Sequence, residues 1–297
     1  MNKILFEALE NNSRLIDNAI EDYYAQYLDV DTSEVREAEL YSLTAGGKRI
    51  RAFLVNEFCR AYGGSIEAST DFAVAVEMMH TFSLIHDDLP CMDDDDLRRG
   101  KPTSHKVFGE ATALLAGDSL AIRALMTLAN NQKVPKSAAL DAVRVLSEAV
   151  CSEGMIGGQI IDMRGERETL DFDTLLKLHS KKTGALIIAS AKLGCLAAGL
   201  SLDDERTKKA ALYAEKIGLA FQIIDDILDV TADTETLGKS VGSDSESNKT
   251  TFLRFMSIEE ARNYAASLTA EAQFAISDVQ DAGVLCELAQ YLLVRNK

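Results

Sequence analysis

The chain has 297 residues, 47% of them apolar, and a formal net charge of −16. That charge excludes the basic footprint of a nucleic-acid binder and the polybasic face that an anionic membrane surface attracts. Three prolines, no tryptophan and plentiful alanine and leucine describe a long-helix protein, because proline breaks helix interiors that alanine and leucine favour.

The spacing of apolar residues predicts helices nearly throughout. Residues 2–29 form an amphipathic opening helix. Gly46-Gly47 breaks the next helical stretch, and KRIRAFLVNEFCRAY begins another. Residues 69–88 run without a breaker until Pro90 stops them. Further helices are predicted over 109–130, 136–165, 171–199, 203–232, 257–280 and 282–295. No period-2 strand, internal repeat or Gly/Ser/Pro-rich linker stands out, so residues 1–297 read as one all-α domain. Two polar loops, 89–104 and 233–250, are predicted to be mobile, the second to close over a ligand. The most apolar segment, 184–200, carries Lys192 and falls short of the roughly 20 residues a membrane crossing needs. It reads as a buried helix, and no membrane span is expected. The N-terminus meets charge too early for a signal peptide. Five scattered cysteines without a CxxC read as free thiols in a reducing cytoplasm.

DDLPCMDDDDLRRG, residues 87–100, concentrates like charge that something must neutralise. Asp87 and Asp88 end a long apolar helix, His80 lies two turns back on the face of Asp87, and Asp93 follows the turn at Pro90. Of the run from Asp93 to Asp96 only Asp93 is expected to enter chemistry, the rest being a solvated loop. FQIIDDILD, residues 221–229, is a second cluster: Gln222, Asp225, Asp226 and Asp229 share one helical stripe amid apolar neighbours. Such a stripe is costly unless it faces a wet cavity or a cation, the plainer alternative being a solvated helix face. Carboxylate clusters without His or Cys suit a hard cation such as Mg²⁺, shared with substrate phosphates. Neither the EF-hand spacing nor a P-loop can be laid over these segments. Lys48 and Arg51 beside the glycine pair, Arg98 and Arg99, Lys182 before Thr183-Gly184, and Lys239 and Lys249 give enough cations for two polyanions. Each alone has a plainer reading as a solvated surface charge.

GGKRIRAFL (46–54), HTFSLIHDDLPCMDDDDLRRGKPTSH (80–105), GEATALLAGDSL (109–120), GGQIIDM (157–163), KKTGALI (181–187), FQIIDDILD (221–229) and LGKS with Lys249 together resemble the trans-isoprenyl diphosphate synthases. The chain is most similar to the bacterial short-chain branch that makes the fifteen-carbon farnesyl diphosphate. The resemblance implies a bundle of ten or more helices around a central cavity, with the two aspartate motifs facing each other near its mouth, and a homodimer. It implies Asp87, Asp93 and Asp225 as principal Mg²⁺ ligands, with Asp88, Asp226 and Asp229 in support, and three Mg²⁺ ions with the allylic diphosphate bound. Arg98, Lys182, Thr183, Gln222 and Lys239 would hold the allylic diphosphate, with Lys249 also at the substrate. Lys48, Arg51, His80 and Arg99 would hold isopentenyl diphosphate without metal. Ala52 departs from the proline common in that family. Phe82, about 7.5 Å behind Asp87 along the helix, would close the tunnel near fifteen carbons with small Ser83 beside it; the alternative is a plain core residue. The expected reaction is Mg²⁺-dependent condensation of isopentenyl diphosphate with dimethylallyl or geranyl diphosphate. Cys91-Met92 is instead similar to the twenty-carbon, geranylgeranyl branch, which shares almost every motif. A non-catalytic partner subunit is the reading from another class.

Overall fold

The computed structural model describes residues 3–27, 29–231 and 250–295. Lys239, Lys249 and nearly all of the expected closing loop lie outside these residues. The helices are α1 (Lys3–Ala25), α2 (Ser33–Leu43), α3 (Ile50–Ala61), α4 (Ile66–Asp87), α5 (Ser104–Phe108), α6 (Glu110–Asn130), α7 (Lys136–Val150), α8 (Met155–Gly165), α9 (Phe172–His179), α10 (Ala185–Ala197), α11 (Glu205–Thr231), α12 (Ile258–Ala275) and α13 (Gly283–Val294). Among the described residues the only sheet is a two-residue hairpin pairing Leu97 with Pro102 and Arg98 with Lys101. The all-α expectation therefore holds.

The apolar pattern explains the layers. α1 buries Leu5, Leu9, Ile16 and Ile20 along one stripe and leaves the other face wet. α4 is apolar on nearly every side and buries Phe72, Val74, Val76, Met78 and Ile85, so it must be central. α10, the segment read as a core helix, is likewise mostly buried, with Ile188 and Lys192 partly exposed. α6 is the one described helix long and apolar enough to cross a membrane. Here it buries Ala113, Ala116, Gly117, Leu120, Ala124 and Leu128 and exposes Leu114, Leu115, Ile122 and Met126.

Four predicted helices are shorter or interrupted, the opening one ending at Ala25. The expected 136–165 helix breaks at residues 151–154, separating α7 from α8. Gly154 permits that reversal, since a Cβ there would sit 2.2 Å from the Ala149 carbonyl oxygen. The expected 171–199 helix is interrupted by a π-turn at Ser180–Gly184. An apolar pattern gives no sign of such an insertion, and π-turns concentrate at functional sites. The helix expected over 257–280 ends at Ala275.

Arg49 sets the entry to α3. It is buried in a left-handed conformation (φ 48°), and its guanidinium binds Glu77 at 3.1 Å and Asp17 at 2.8 Å. The Ala52 N–H donates to the same Glu77 carboxylate at 3.2 Å. A proline has no N–H to offer there, so the departure from the family pattern serves a local bond.

Candidate active site

A cavity of about 930 Å³ opens among α3, α4, α6, α8 and the π-turn. Its walls are mostly apolar, with Phe82, Leu89, Met92, Ala121, Met155, Ile160 and Met163 among the lining residues. Its polar groups are Arg51, His80, Ser83, His86, Asp87, Asp118, Gln159, Lys182 and Thr183. Six of the residues singled out in the sequence thus meet at one chamber: Arg51, His80, Phe82, Asp87, Lys182 and Thr183; Ser83 is a seventh, its hydroxyl donating to the His80 carbonyl at 2.9 Å.

α4 delivers His80 and Asp87 on one face of its last two turns, and Phe82 from another side of the same helix end, all lining the chamber. Burial pushes the Asp87 carboxyl up to about 6; the Lys182 ammonium opposes this and the Asp93 carboxylate adds to it. Asp93 is exposed on the following turn, its N–H bonded to the Asp87 carbonyl at 2.9 Å. Asp88 turns the other way. It is 4% exposed and ion-paired with Arg98, which also reaches Asp95 at 3.1 Å. Part of the charge of 87–100 is therefore neutralised within the loop itself. Asp88 and Arg98, expected at metal and diphosphate, are in this structure bound to each other outside the residues that line the chamber.

The π-turn delivers Lys182 and Thr183. Lys182 is ion-paired with Asp162 of α8, and Thr183 donates to the Gln222 amide oxygen on α11. α8 reaches the turn because residue 158 is glycine: a Cβ there would lie 2.2 Å from the Lys182 backbone nitrogen. Gln222 thus joins the second aspartate cluster to the chamber wall.

The second cluster is not one uniform stripe. Asp226 is 6% exposed and accepts the Phe252 N–H at 2.7 Å, which makes it part of the scaffold in this structure. Asp225 is only partly buried and binds Arg295 at 2.5 Å; that guanidinium stacks 3.8 Å from the Phe221 ring centroid and also donates to the Phe221 carbonyl. Asp229 is partly buried one turn further on. Among the described residues, no three His, Cys, Asp or Glu side chains converge as a ready-made metal cage. The donor set is still carboxylate oxygen only, and Asp87 carries a charge that burial penalises, so these residues fit a hard divalent cation shared with an anionic ligand.

A second group of cations lies around Arg51. The Arg51 Nη1 donates to His80 Nε2 at 3.2 Å. A guanidinium has no lone pair to offer, so His80 is neutral and protonated on Nδ1. Burial and the Arg51 charge hold its pKa well below the usual histidine range. The Arg51 Nε is buried and finds no partner among the described residues. Burial lowers the Arg51 pKa, and Arg99 adds repulsion. Arg99 donates to the Gly46 carbonyl and presses on Gly47 (φ +124°), where a Cβ would meet the guanidinium at 2.8 Å. Lys48 is exposed just ahead of α3, its ammonium 5.2 Å from the Tyr291 ring centroid. Arg51 and Arg99, like charges close enough to repel, with a buried Arg51 N–H unpartnered among the described residues, suit an anionic ligand.

Gln159, Asp162, Asp118 and Arg295 were not singled out in the sequence. A signal existed for two of them: Gln159 and Asp162 are three apart in GGQIIDM and so share a helical face.

Fold and site together define a helical protein whose chamber is apolar inside and charged at its edge, suited to a molecule with a hydrocarbon body and an anionic head. The family profile for polyprenyl synthetase matches residues 32–284. A farnesyl diphosphate synthase of Geobacillus stearothermophilus is 43% identical over 278 residues, covering 91% of this chain and 93% of that protein. A chloroplastic geranylgeranyl pyrophosphate synthase of Capsicum annuum is 43% identical over 267 residues, covering 88% of this chain and 72% of the relative. The apo crystal structure of an FPP/GFPP synthase from Zymomonas mobilis superposes with a TM-score of 0.88 at 33% identity, covering 99% of this chain and 100% of that one. The chain belongs to the polyprenyl synthetase family and is a prenyltransferase.

Proposed function

We propose that this prenyltransferase condenses isopentenyl diphosphate with dimethylallyl or geranyl diphosphate, giving farnesyl diphosphate. The observation that carries this reading is the single chamber in which Asp87, Lys182 and Thr183 meet an apolar interior, with the Arg51–His80 pair in the same lining. The allylic diphosphate sits at Asp87, Lys182 and Thr183, and its hydrocarbon fills the apolar space. Isopentenyl diphosphate takes the Arg51 side, with His80, Arg99 and Lys48 around it. Mg²⁺, three ions in all, held by Asp87, Asp93 and Asp225 with Asp229 nearby, would supply Lewis-acid stabilisation of the departing diphosphate. Asp88 and Asp226 support those ligands by fixing the two motifs to the scaffold.

The C1–O bond of the allylic substrate breaks and both electrons leave with diphosphate. Lys182, positioned by Asp162, neutralises charge on that leaving group. The double bond of isopentenyl diphosphate donates its electron pair to the allylic C1, forming the new carbon–carbon bond. The resulting tertiary cation loses a proton to the released diphosphate, restoring a double bond. Thr183 and Gln222 face the allylic carbons, and the apolar walls keep water from the cation. No side-chain nucleophile is required. By family likeness alone, Lys239 is assigned to the same diphosphate and Lys249 to substrate binding.

Phe82 in the lining supports a fifteen-carbon product. The twenty-carbon reading is kept because relatives named for each product match equally, at 43% identity. The exposed apolar side of α6 supports a homodimer, with Leu114, Leu115, Ile122 and Met126 covered by a second copy. Five free cysteines agree with a cytoplasmic setting. Incubation of the purified protein with isopentenyl and geranyl diphosphates and Mg²⁺ tests the reading. A farnesyl product supports it, a twenty-carbon main product transfers it to the longer synthase, and no condensation removes it.

A further inference from the structure

Gln159 is the polar exception in a hydrocarbon-lined wall. α8 lends Met155, Ile156, Ile160 and Met163 to the chamber, and Gln159 lies among them. Both its Oε1 and its Nε2 are buried, and neither finds a hydrogen-bond partner among the described residues. An amide in that condition costs free energy, and a leucine of similar size would not. The same helix turn carries Asp162, bonded to Lys182, and Gly158, pressed against the Lys182 backbone. Gln159 therefore sits on the α8 turn that packs against Lys182, the group expected to receive the allylic diphosphate, and among the residues that line the apolar space.

What such an amide meets there follows from the chemistry of the ligand, on the reading given under Proposed function. The diphosphates have their own cations in Lys182 and Arg51. The hydrocarbon offers no hydrogen-bond donor and, in the ground state, no charge. Charge appears in it only when the C1–O bond breaks and the allylic carbons become positive. A carbonyl dipole already present in a water-poor wall acts strongly on a charge that develops next to it. We infer that the Gln159 side-chain carbonyl is a further catalytic group, stabilising the allylic cation from the α8 side of the chamber. Thr183 and Gln222 act from the π-turn side.

The test separates charge stabilisation from simple packing. Gln159→Leu and Gln159→Glu are compared with wild type by calorimetric binding, with Mg²⁺, of two probes. One is geranyl thiolodiphosphate, neutral in its hydrocarbon and slow to ionise. The other is an aza analogue whose protonated nitrogen replaces the cationic carbon. Gln159→Leu is expected to bind the thiolodiphosphate within about twofold of wild type and the ammonium probe about tenfold more weakly, about 1.4 kcal/mol. Gln159→Glu is expected to bind the ammonium probe about tenfold more tightly. Substrate-free Gln159→Leu is expected to melt above wild type, because it removes a buried amide without a partner. Equal weakening of both probes, no change in either, or a lower melting temperature for Gln159→Leu overturns the inference. Failure of the wild type to bind either probe would instead overturn the proposed function.

Discussion

The Thr183 hydroxyl donates to the Gln222 amide oxygen. This one bond ties the π-turn, which carries Lys182, to the helix that carries the second aspartate cluster. Thr183→Val removes it while keeping the shape. The expected outcome is an about tenfold fall in kcat/KM for geranyl diphosphate, with Thr183→Ser restoring most of it. Steady-state kinetics on the three proteins checks this; equal activity in all three would remove the bond from the mechanism.

Asp87 trades stability for function. Burial holds its carboxyl at about 6, against an ordinary 3.8. A carboxyl with a raised folded pKa favours the fold below its ordinary pKa and loses that contribution as pH rises through the folded value. At pH 7 the full penalty is present. Asp87→Asn is expected to stabilise the substrate-free protein at pH 7 by about 1–3 kcal/mol, with the gain vanishing near pH 4, and to lower condensation at least about a hundredfold. Urea unfolding at the two pH values and one rate measurement decide it.

His179 gives the opposite slope. It stacks on Phe252 with ring centroids 5.0 Å apart, and its Nε2 is buried without a partner among the described residues. Burial holds its pKa at about 4, against an ordinary 6.5. The unfolded chain takes up the proton first, so stability present above pH 6.5 is lost as pH falls toward 4, by about 3 kcal/mol. His179→Phe keeps the stacking and removes the proton site. Its unfolding free energy is expected to fall less than that of wild type between pH 7 and 4.5; parallel curves would refute the assignment.

Much of this site was legible because its chemistry is local in sequence. Asp87 ends an unbroken apolar helix, His80 is two turns behind it, and Lys182 directly precedes Thr183. What was hidden depends on distant partners. Asp226 shares its stripe with Asp225, and nothing in FQIIDDILD reveals that the Phe252 N–H, far along the chain, claims its carboxylate. Asp88 looks equivalent to Asp87 until Arg98 folds back on it. The π-turn and the break before α8 leave the apolar rhythm almost intact, so one continuous helix was the natural reading of each. The contact of α8 with the π-turn depends on the missing Cβ of Gly158, which no periodicity reports.

Phe82 lines the chamber and packs edge-on against His86, with centroids 4.9 Å apart. Phe82→Ala opens the space behind the growing chain. Products longer than fifteen carbons are expected, read by chromatography of the dephosphorylated alcohols. An unchanged product length would leave Phe82 a packing residue only.

The central claim is that Asp87 on α4 and Asp225 on α11 serve one diphosphate across one chamber. A crystal structure with Mg²⁺, geranyl thiolodiphosphate and isopentenyl diphosphate tests this directly. The account predicts the allylic diphosphate between those two helices, its hydrocarbon running past Gln159 toward Phe82, with the second diphosphate on Arg51. A diphosphate bound elsewhere, or both carboxylates left without ligand, would contradict it.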